Sequence, residues 1–139
     1  MNDTGINLNV VQEPADGYWS NVWLKKGFCA CYWSGRATED WMFATAYEAG
    51  VPWNDSQWDE KDSARFQSLL LSARAELDSD ARQAQYFEMQ EILRDEGGTL
   101  IPMFANYVQA VNNRISSPDQ IGNLWQMDNA RMAERWSVA

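Results

Sequence analysis

The segment YWSGRATEDW, residues 32–41, places two neighbouring acids, Glu39 and Asp40, beside aromatic residues and one arginine. Two carboxylates can act as general acid and general base, but in glycosidases they flank the scissile bond about 5 to 9.5 Å apart. Adjacent residues at the start of a helix do not face one target in that way. Two roles therefore stay open for the pair: capping the following helix together with Thr38, where the helix dipole favours carboxylates, or fixing the ammonium group of a ligand.

Aromatic residues are concentrated around this acidic pair. Each of them alone is explained by core packing, but a cluster in one loop region beside a carboxylate is typical of a binding cleft, where aromatic walls hold apolar or cationic groups. Arg36 lies in the same segment, where it can pair with Glu39 or bind a ligand carboxylate through two hydrogen bonds. The aromatic residues of the region are Trp33, Trp41, Trp53 and Trp58, with Tyr32 and Tyr47.

The chain contains no histidine, which excludes Ser-His-Asp triads, Cys-His dyads and histidine metal sites. Its two cysteines, Cys29 and Cys31, are one residue apart. A disulfide between positions i and i+2 is geometrically awkward, and the further ligands of a zinc site are missing. We therefore expect two small core thiols, no metal and no cofactor.

The composition is that of one acidic domain. The 139 residues are 45% hydrophobic, with a net charge of -9 and a pI of about 4.3. This charge disfavours nucleic acids and anionic membrane surfaces as partners, because phosphate binding needs clustered Lys and Arg. No apolar run approaches the ~20 residues of a membrane span, and no signal peptide is visible. The chain is expected to be cytosolic or to be part of something longer.

The pattern in the first part of the chain predicts a strand, a helix and a second strand. Together they span about 30 residues, which is the length of a βαβ unit. Residues 5–10 alternate apolar and polar side chains, as in a half-buried strand. Asp16 can cap a short helix that carries Trp19, and the apolar run over residues 28–33 is typical of a buried strand. A loop-rich region follows, with a short helix predicted over residues 40–49.

Two longer helices are predicted next. Apolar residues at positions i, i+3, i+4, i+7 and i+11 form one stripe that starts at Phe66 and ends at Leu77. Asp78 or Ser79 then caps a second helix, which runs to the region of Glu96 and ends at a Gly-Gly pair. A connection of about two residues makes the pair an antiparallel helical hairpin.

The remaining residues are predicted to be extended and then irregular. Over residues 99–115, Pro102 confines a strand to a sheet edge or interrupts it. Residues 116–139 are polar and weakly patterned. These patterns divide the chain into an α/β part over residues 1–115 and an irregular C-terminal tail over residues 116–139.

The order of these segments resembles the C-terminal part of family 5 extracytoplasmic solute-binding proteins, the dipeptide- and oligopeptide-binding components of ABC importers. The resemblance spans nearly the whole chain and is carried by GINLNVVQEPADGYWSNVW, YWSGRATEDWMF and DARQAQYFEMQEILRDEGGTLIPMF. It implies an α/β fold, namely the C-terminal lobe of a periplasmic-binding-protein-like class II fold with a small mixed sheet flanked by helices. The chain would be a fragment of a two-lobed periplasmic or extracytoplasmic protein. Residues 1–115 would form its α/β ligand-binding lobe, and the tail of residues 116–139 would pack toward the other lobe.

The resemblance also implies a non-enzymatic function, the capture of peptides or related amino compounds between two lobes that close on the ligand. The membrane subunits of an ABC importer would be partners of the full-length protein. In the family an aspartate of this cleft segment holds the peptide's ammonium, and Asp40 matches it best, with Glu39 as the alternative. Trp33 matches the aromatic residue before the turn. Many members read W-x-x-D-Y-x-D-P here, whereas this chain has RATEDW over residues 36–41.

Two other classes of function stay open. One is a carbohydrate-binding module, or a sugar-binding member of the same importer family, which would stack sugars on tryptophan. The other is a carboxylate-dependent hydrolase, against which the missing histidine and the adjacent acids weigh. An isolated lobe would bind weakly and expose a surface that favours self-association. The predicted ligand-binding residues are Trp33, Arg36, Glu39, Asp40 and Trp41.

Overall fold

A computed structural model of the protein describes residues 5–138. Its backbone contacts divide the chain into two compact units, one ending at Tyr32 and the other beginning at Trp33. Among the described residues, no helix has both the length and the apolar character needed to cross a lipid bilayer.

Among the described residues of the first unit, one short helix is formed, α1 (Tyr18–Asn21). Gly17 precedes it with φ of 79°, a left-handed conformation that glycine adopts without the strain of a Cβ atom. The prediction that Asp16 caps this helix is wrong, because Gly17 occupies the cap position and no side chain makes a cap hydrogen bond. Val22, directly after the helix, is the buried residue of this unit.

The strands predicted over residues 5–10 and 28–33 are not formed, so the predicted βαβ unit is wrong for the described part of the chain. Ile6 and Val10 are 69% and 73% exposed, so the alternating pattern buries no face. Residues 99–112 likewise carry neither helix nor strand. A strand exists only when its backbone N–H and C=O groups pair with a neighbouring strand, and alternation by itself does not supply that neighbour.

The second unit is built around a helix that confirms the one predicted over residues 40–49, followed by a helical hairpin that confirms the predicted pair. The hairpin is antiparallel, since Arg65 near the start of its first helix contacts Glu88, whereas Ser72 further along contacts Gln85. The three helices are α2 (Glu39–Ala46), α3 (Ala64–Ala75) and α4 (Ser79–Glu96).

Helix α4 begins and ends as predicted. The Asp78 carboxylate accepts hydrogen bonds from the backbone N–H groups of Asp80 and Ala81, at 3.0 and 2.8 Å. N–H groups in the first turn of a helix have no hydrogen-bond partner inside the helix, and the Asp78 carboxylate supplies one for these two. At the other end, Gly97 occupies the cap position and donates its N–H to the Leu93 carbonyl.

The core of the second unit lies between α2, α3 and α4. Phe66 is fully buried, and its ring centroid lies 5.4 Å from that of Phe43 and 5.2 Å from that of Trp58. The prediction that Leu77 extends the apolar stripe of α3 is wrong: Leu77 is 93% exposed, because α3 ends at Ala75. The buried members of the core are Phe43, Ala46, Tyr47, Trp58, Phe66, Leu69, Leu70, Ala73, Met89 and Leu93.

The C-terminal residues contain a two-stranded antiparallel sheet and two short turns of helix. Strand β1 (Ile115–Ser116) pairs with β2 (Ser137–Val138), with Ile115 opposite Val138. Between them lie α5 (Gln126–Ala130) and α6 (Met132–Arg135). The sheet is small, and the class II lobe stays a prediction.

The turn α5 is left-handed, with φ between 55° and 61° from Met127 to Ala130. A left-handed helical conformation costs about 1–2 kcal/mol for each residue that has a Cβ atom. Four consecutive residues of this kind therefore need strong compensating contacts, which centre on Asp128 and are described below.

Candidate functional site

The acidic pair lies in the first turn of α2, and Thr38 caps that helix. Thr38 Oγ1 accepts a hydrogen bond from the Trp41 backbone N–H at 3.2 Å. Glu39 and Asp40 are therefore not the capping residues, although their charges favour the positive end of the helix dipole. Both carboxylates remain available for contacts with other elements.

Arg36 lies over the rings of two tryptophans. Its Cζ atom is 5.7 Å from the ring centroid of Trp33 and 5.6 Å from that of Trp41. Both distances fall within the range of cation–π attraction. Within residues 5–138 no carboxylate lies within ion-pair distance of Arg36, so the alternative in which it pairs with Glu39 is not adopted.

The hydrogen bonds of Arg36 leave one edge of the guanidinium open. Nη1 donates to the carbonyl oxygens of Ser34 and Gly35, at 2.9 and 3.2 Å, and to Ser34 Oγ at 3.1 Å. Within the described chain, Nε and Nη2 make no hydrogen bond. Those two N–H groups form the side edge of a guanidinium, which is the edge that binds carboxylates through two parallel hydrogen bonds.

Asp40 is bound to the helical hairpin. Arg74 Nε donates to Asp40 Oδ1 at 2.7 Å, and Arg74 Nη2 donates to Oδ2 at 3.3 Å. The Tyr86 hydroxyl donates to Oδ1 at 3.3 Å. The hydrogen bond to Asp40 raises the pKa of the Arg74 guanidinium, and burial followed by the Asp40 charge raises the pKa of the Tyr86 phenol. The Asp40 carboxylate therefore already has a full cationic partner.

Glu39 has a weaker partner and lies at the rim of a groove. Its Oε2 accepts a hydrogen bond from the neutral amide of Gln90 at 3.0 Å, and its side chain is exposed. The groove has a volume of about 440 Å³, and its lining combines polar, charged and aromatic side chains. It is lined by Glu39, Ser79, Asp80, Arg82, Gln83, Tyr86, Phe87 and Gln90.

The other aromatic residues of the region divide into core and surface. Trp58 is buried and donates its indole N–H to the Tyr47 carbonyl at 2.7 Å. Trp33 is half-buried and donates its indole N–H to Asp55 Oδ2 at 3.2 Å, which fixes the ring under Arg36. Trp41 and Trp53 are 47% and 51% exposed. The rings of Trp33 and Trp53 are neighbours, with centroids 6.5 Å apart, and Trp41 meets Trp33 through Arg36, while Tyr32 belongs to the first unit.

The C-terminal residues pack on the turn that precedes Arg36, a contact that the sequence analysis did not predict. Trp125 Nε1 donates to the Gly35 carbonyl at 3.1 Å. A Cβ atom at Gly35 would lie 2.8 Å from Leu124 Cδ1 and 3.2 Å from the Leu124 carbonyl oxygen. Gly35 therefore allows a close approach between the site turn and the tail.

The tail is organised by Asp128, which is 1% exposed. Its Oδ1 accepts a hydrogen bond from the Gly122 backbone N–H at 2.6 Å, and its Oδ2 accepts one from Trp136 Nε1 at 3.1 Å. Arg135 forms an ion pair with the same carboxylate. The Gly122 hydrogen bond, then the Trp136 hydrogen bond and the charge of Arg135, lower the pKa of Asp128. No local sequence pattern singles out this aspartate, because its partners come from two separate segments, at Gly122 and at Arg135–Trp136.

The site combines charged and aromatic side chains. In the described chain no group of three or more Cys, Asp and Glu side chains is arranged to hold a metal ion. Searches of known protein families, curated proteins and solved structures found no match to this chain. The site consists of Arg36 over the rings of two tryptophans, the acid Asp40 paired with Arg74, and the exposed acid Glu39.

Proposed function

We propose that the chain is a ligand-binding lobe that captures peptides or related small amino compounds for ABC-type import. The ligand would bind in the cleft of a two-lobed extracytoplasmic protein, whose lobes close on it. The segment Trp33 to Trp41 would form this lobe's part of the cleft. The observation that carries the proposal is the open Nε and Nη2 edge of Arg36, fixed between Trp33 and Trp41 beside exposed Glu39.

A zwitterionic ligand fits this set of charges. The side edge of Arg36 would bind the carboxylate of the ligand, because the tryptophan rings and the Ser34 and Gly35 carbonyls already hold the guanidinium in place. A preorganised cation loses less side-chain entropy on binding than a mobile one. The half-exposed ring of Trp41 would cover the apolar part of the ligand.

Glu39 would hold the ammonium group, with Asp40 in a supporting role. Arg74 and Tyr86 already donate to Asp40, so an ammonium would have to compete with a guanidinium at the same oxygens. Glu39 accepts only from the neutral amide of Gln90 among the described residues, and that amide is easily displaced by a charged donor. Asp40 would then act as a positioning residue that ties the first turn of α2 to the hairpin.

The experiment is a titration of the chain with Ala-Phe at millimolar concentration, read from the indole N–H resonances in a nitrogen–proton spectrum. N-acetyl-Ala-Phe and Ala-Phe-amide serve as matched ligands that each lack one charge. We expect each modified peptide to bind at least about tenfold more weakly, since a hydrogen bond to a charged group contributes roughly 1.5–3 kcal/mol. Glu39→Gln should abolish the preference for a free amino group, and Arg36→Met the preference for a free carboxylate.

The control is Glu60→Gln, which removes an exposed carboxylate from a loop outside the site. It should leave all three affinities unchanged. Equal binding of the three peptides, or retention of both preferences in the two site variants, would refute the proposed roles. Cleavage of a peptide or glycoside by the wild-type chain, lost in Asp40→Asn, would establish a hydrolase instead.

A carbohydrate-binding role is the second candidate, since the exposed rings of Trp41 and Trp53 offer surfaces on which sugars stack. The same titration with cellotriose and maltotriose separates the two candidates. Shifts of the Trp53 indole resonance with a trisaccharide, and none with Ala-Phe, would support the carbohydrate role and overturn the peptide role.

A further inference from the structure

Cys29 and Cys31 form a pair of thiols in the first unit, and neither residue belongs to the site proposed above. They flank Ala30 in a stretch that has no helix, strand or turn. Both are half-buried, and neither belongs to a disulfide. Residues at i and i+2 in a non-helical stretch project toward the same side of the backbone when it is extended. The two sulfur atoms are therefore candidates for joint coordination of one ion.

Tyr18 holds the backbone between the two thiols. Its hydroxyl donates to the Ala30 carbonyl at 2.6 Å, which fixes the residue that both cysteines flank. The two cysteines therefore lie on either side of a backbone position that a side chain holds in place.

An open groove borders this point. It has a volume of about 360 Å³ and gives access to Cys31 from solvent. Aromatic rings form one wall, with Trp19 and Tyr32 packed edge-on at a centroid distance of 5.3 Å. The lining residues are Ala15, Tyr18, Trp19, Ala30, Cys31 and Tyr32. The surroundings are apolar and aromatic, which suits a weakly hydrated ion.

The spacing of the two cysteines favours a bridging ion over a disulfide. In an extended chain, Cα atoms at i and i+2 are roughly 6.6 Å apart and their Cβ atoms point the same way. A disulfide needs Cβ atoms about 3.5–4.5 Å apart. An ion held linearly between two thiolates, with metal–sulfur distances of about 2.3 Å, places the sulfur atoms roughly 4.6 Å apart, which the longer spacing accommodates.

We propose that Cys29 and Cys31 form a two-coordinate site for a soft monovalent cation, with Cu(I) as the ion. Thiolate ligands favour Cu(I), zinc and iron–sulfur clusters, and of these Cu(I) is the ion whose coordination shell two thiolates can complete, in a linear arrangement. Binding converts two thiols and one Cu(I) into a bis-thiolate complex and releases two protons, with no change of oxidation state. Tyr18 would act as a positioning residue through Ala30, without touching the metal.

The test uses the reduced full chain, titrated anaerobically with Cu(I) against the coloured chelator bathocuproine disulfonate. We expect one Cu(I) per chain and the release of two protons per ion. Cys29→Ser and Cys31→Ser should each lower the affinity at least about 100-fold, because each loses the effective concentration that the second thiolate provides. Met103→Leu, which removes a 74% exposed thioether, should change nothing.

X-ray absorption of the wild-type complex tests the site even if a serine variant fails to fold. Two sulfur neighbours and no third ligand are expected, at a copper–sulfur distance shorter than the ~2.3 Å of a four-coordinate zinc–thiolate site. Three or more neighbours, or one Cu(I) per two chains by native mass spectrometry, would overturn the proposal. The proposal would also be overturned if a folded Cys31→Ser variant bound Cu(I) less than tenfold more weakly than the wild-type chain. Circular dichroism of each variant establishes that it is folded.

Discussion

Arg74 in α3 holds the carboxylate of Asp40 in α2, with Nε 2.7 Å from Oδ1 and Nη2 3.3 Å from Oδ2. The pair joins two elements whose residues are 34 positions apart in the chain. Through the Tyr86 hydroxyl it also reaches α4. This relationship decides how the acidic pair divides its roles, because it neutralises Asp40 and leaves Glu39 at the surface.

We predict that the Asp40–Arg74 pair stabilises the second unit by about 0.5–1 kcal/mol in a double-mutant cycle. The cycle consists of Asp40→Asn, Arg74→Gln and the double variant, with the free energy of unfolding measured in urea. Arg65 and Glu88 provide the control, since this pair also uses two hydrogen bonds but is more exposed, at 62% and 42% against 39% and 31%. A coupling no larger than that of the control pair would contradict the prediction.

Phe66→Ala is expected to destabilise the second unit by about 3–5 kcal/mol, because it leaves a cavity among buried rings. Phe66 is fully buried, between Phe43 and Trp58. Phe87→Ala is the matched control: the same side chain is 60% exposed there and its loss should cost less than about 0.5 kcal/mol. Urea unfolding followed by far-ultraviolet circular dichroism measures both. Similar costs for the two variants would show that the core is assigned incorrectly.

Asp78→Ala should cost about 1 kcal/mol, the typical value of a helix N-cap. The Asp78 carboxylate accepts from two backbone N–H groups at the start of α4, and alanine leaves both without that partner. Asp78→Asn keeps an oxygen acceptor at the same place and should retain most of the stability. Urea midpoints of the three proteins are the measurement, and equal losses in the alanine and asparagine variants would argue against a capping role.

The tail is predicted to loosen in acid because of Asp128. The Gly122 hydrogen bond, with Trp136 and Arg135, lowers the pKa of Asp128 below its ordinary value of 3.8. A group whose pKa is lower in the folded state contributes stability that is complete above the unfolded value and is lost as pH falls through the folded value. The tail should therefore be unchanged from pH 7 to about pH 5 and should loosen progressively below about pH 4.

The Trp136 indole N–H resonance reports this loosening directly, since that N–H donates to Asp128 Oδ2. Asp128→Asn should abolish the acid-dependent shift of the resonance. Asp119→Asn, which changes an exposed aspartate of the same tail, should leave the shift in place. A shift that persists in Asp128→Asn would show that another group controls the tail.

The helical hairpin was predictable because its signals are local. The stripe from Phe66 to Ala73, the Asp78 cap and the Gly97 end all act within a few residues along the chain, and each lies where the pattern indicates. The strands predicted over residues 5–10 and 28–33 are not formed, because alternation is a weaker signal than helix periodicity and capping. Their alternation describes which side chains share a face, whereas a strand also needs a hydrogen-bonded neighbour elsewhere in the chain.

The sequence by itself determined the inventory of the site: two adjacent acids, an arginine, a set of tryptophans and no histidine. Only the tertiary structure decided how they are used. Arg74 comes from another helix to neutralise Asp40, Arg36 turns to two rings instead of Glu39, and Asp128 gathers its donors from separate segments. The physical reason is that helix periodicity and capping act between near neighbours in sequence, whereas ion pairs and ring contacts depend on which distant segments the folded chain brings within a few ångströms.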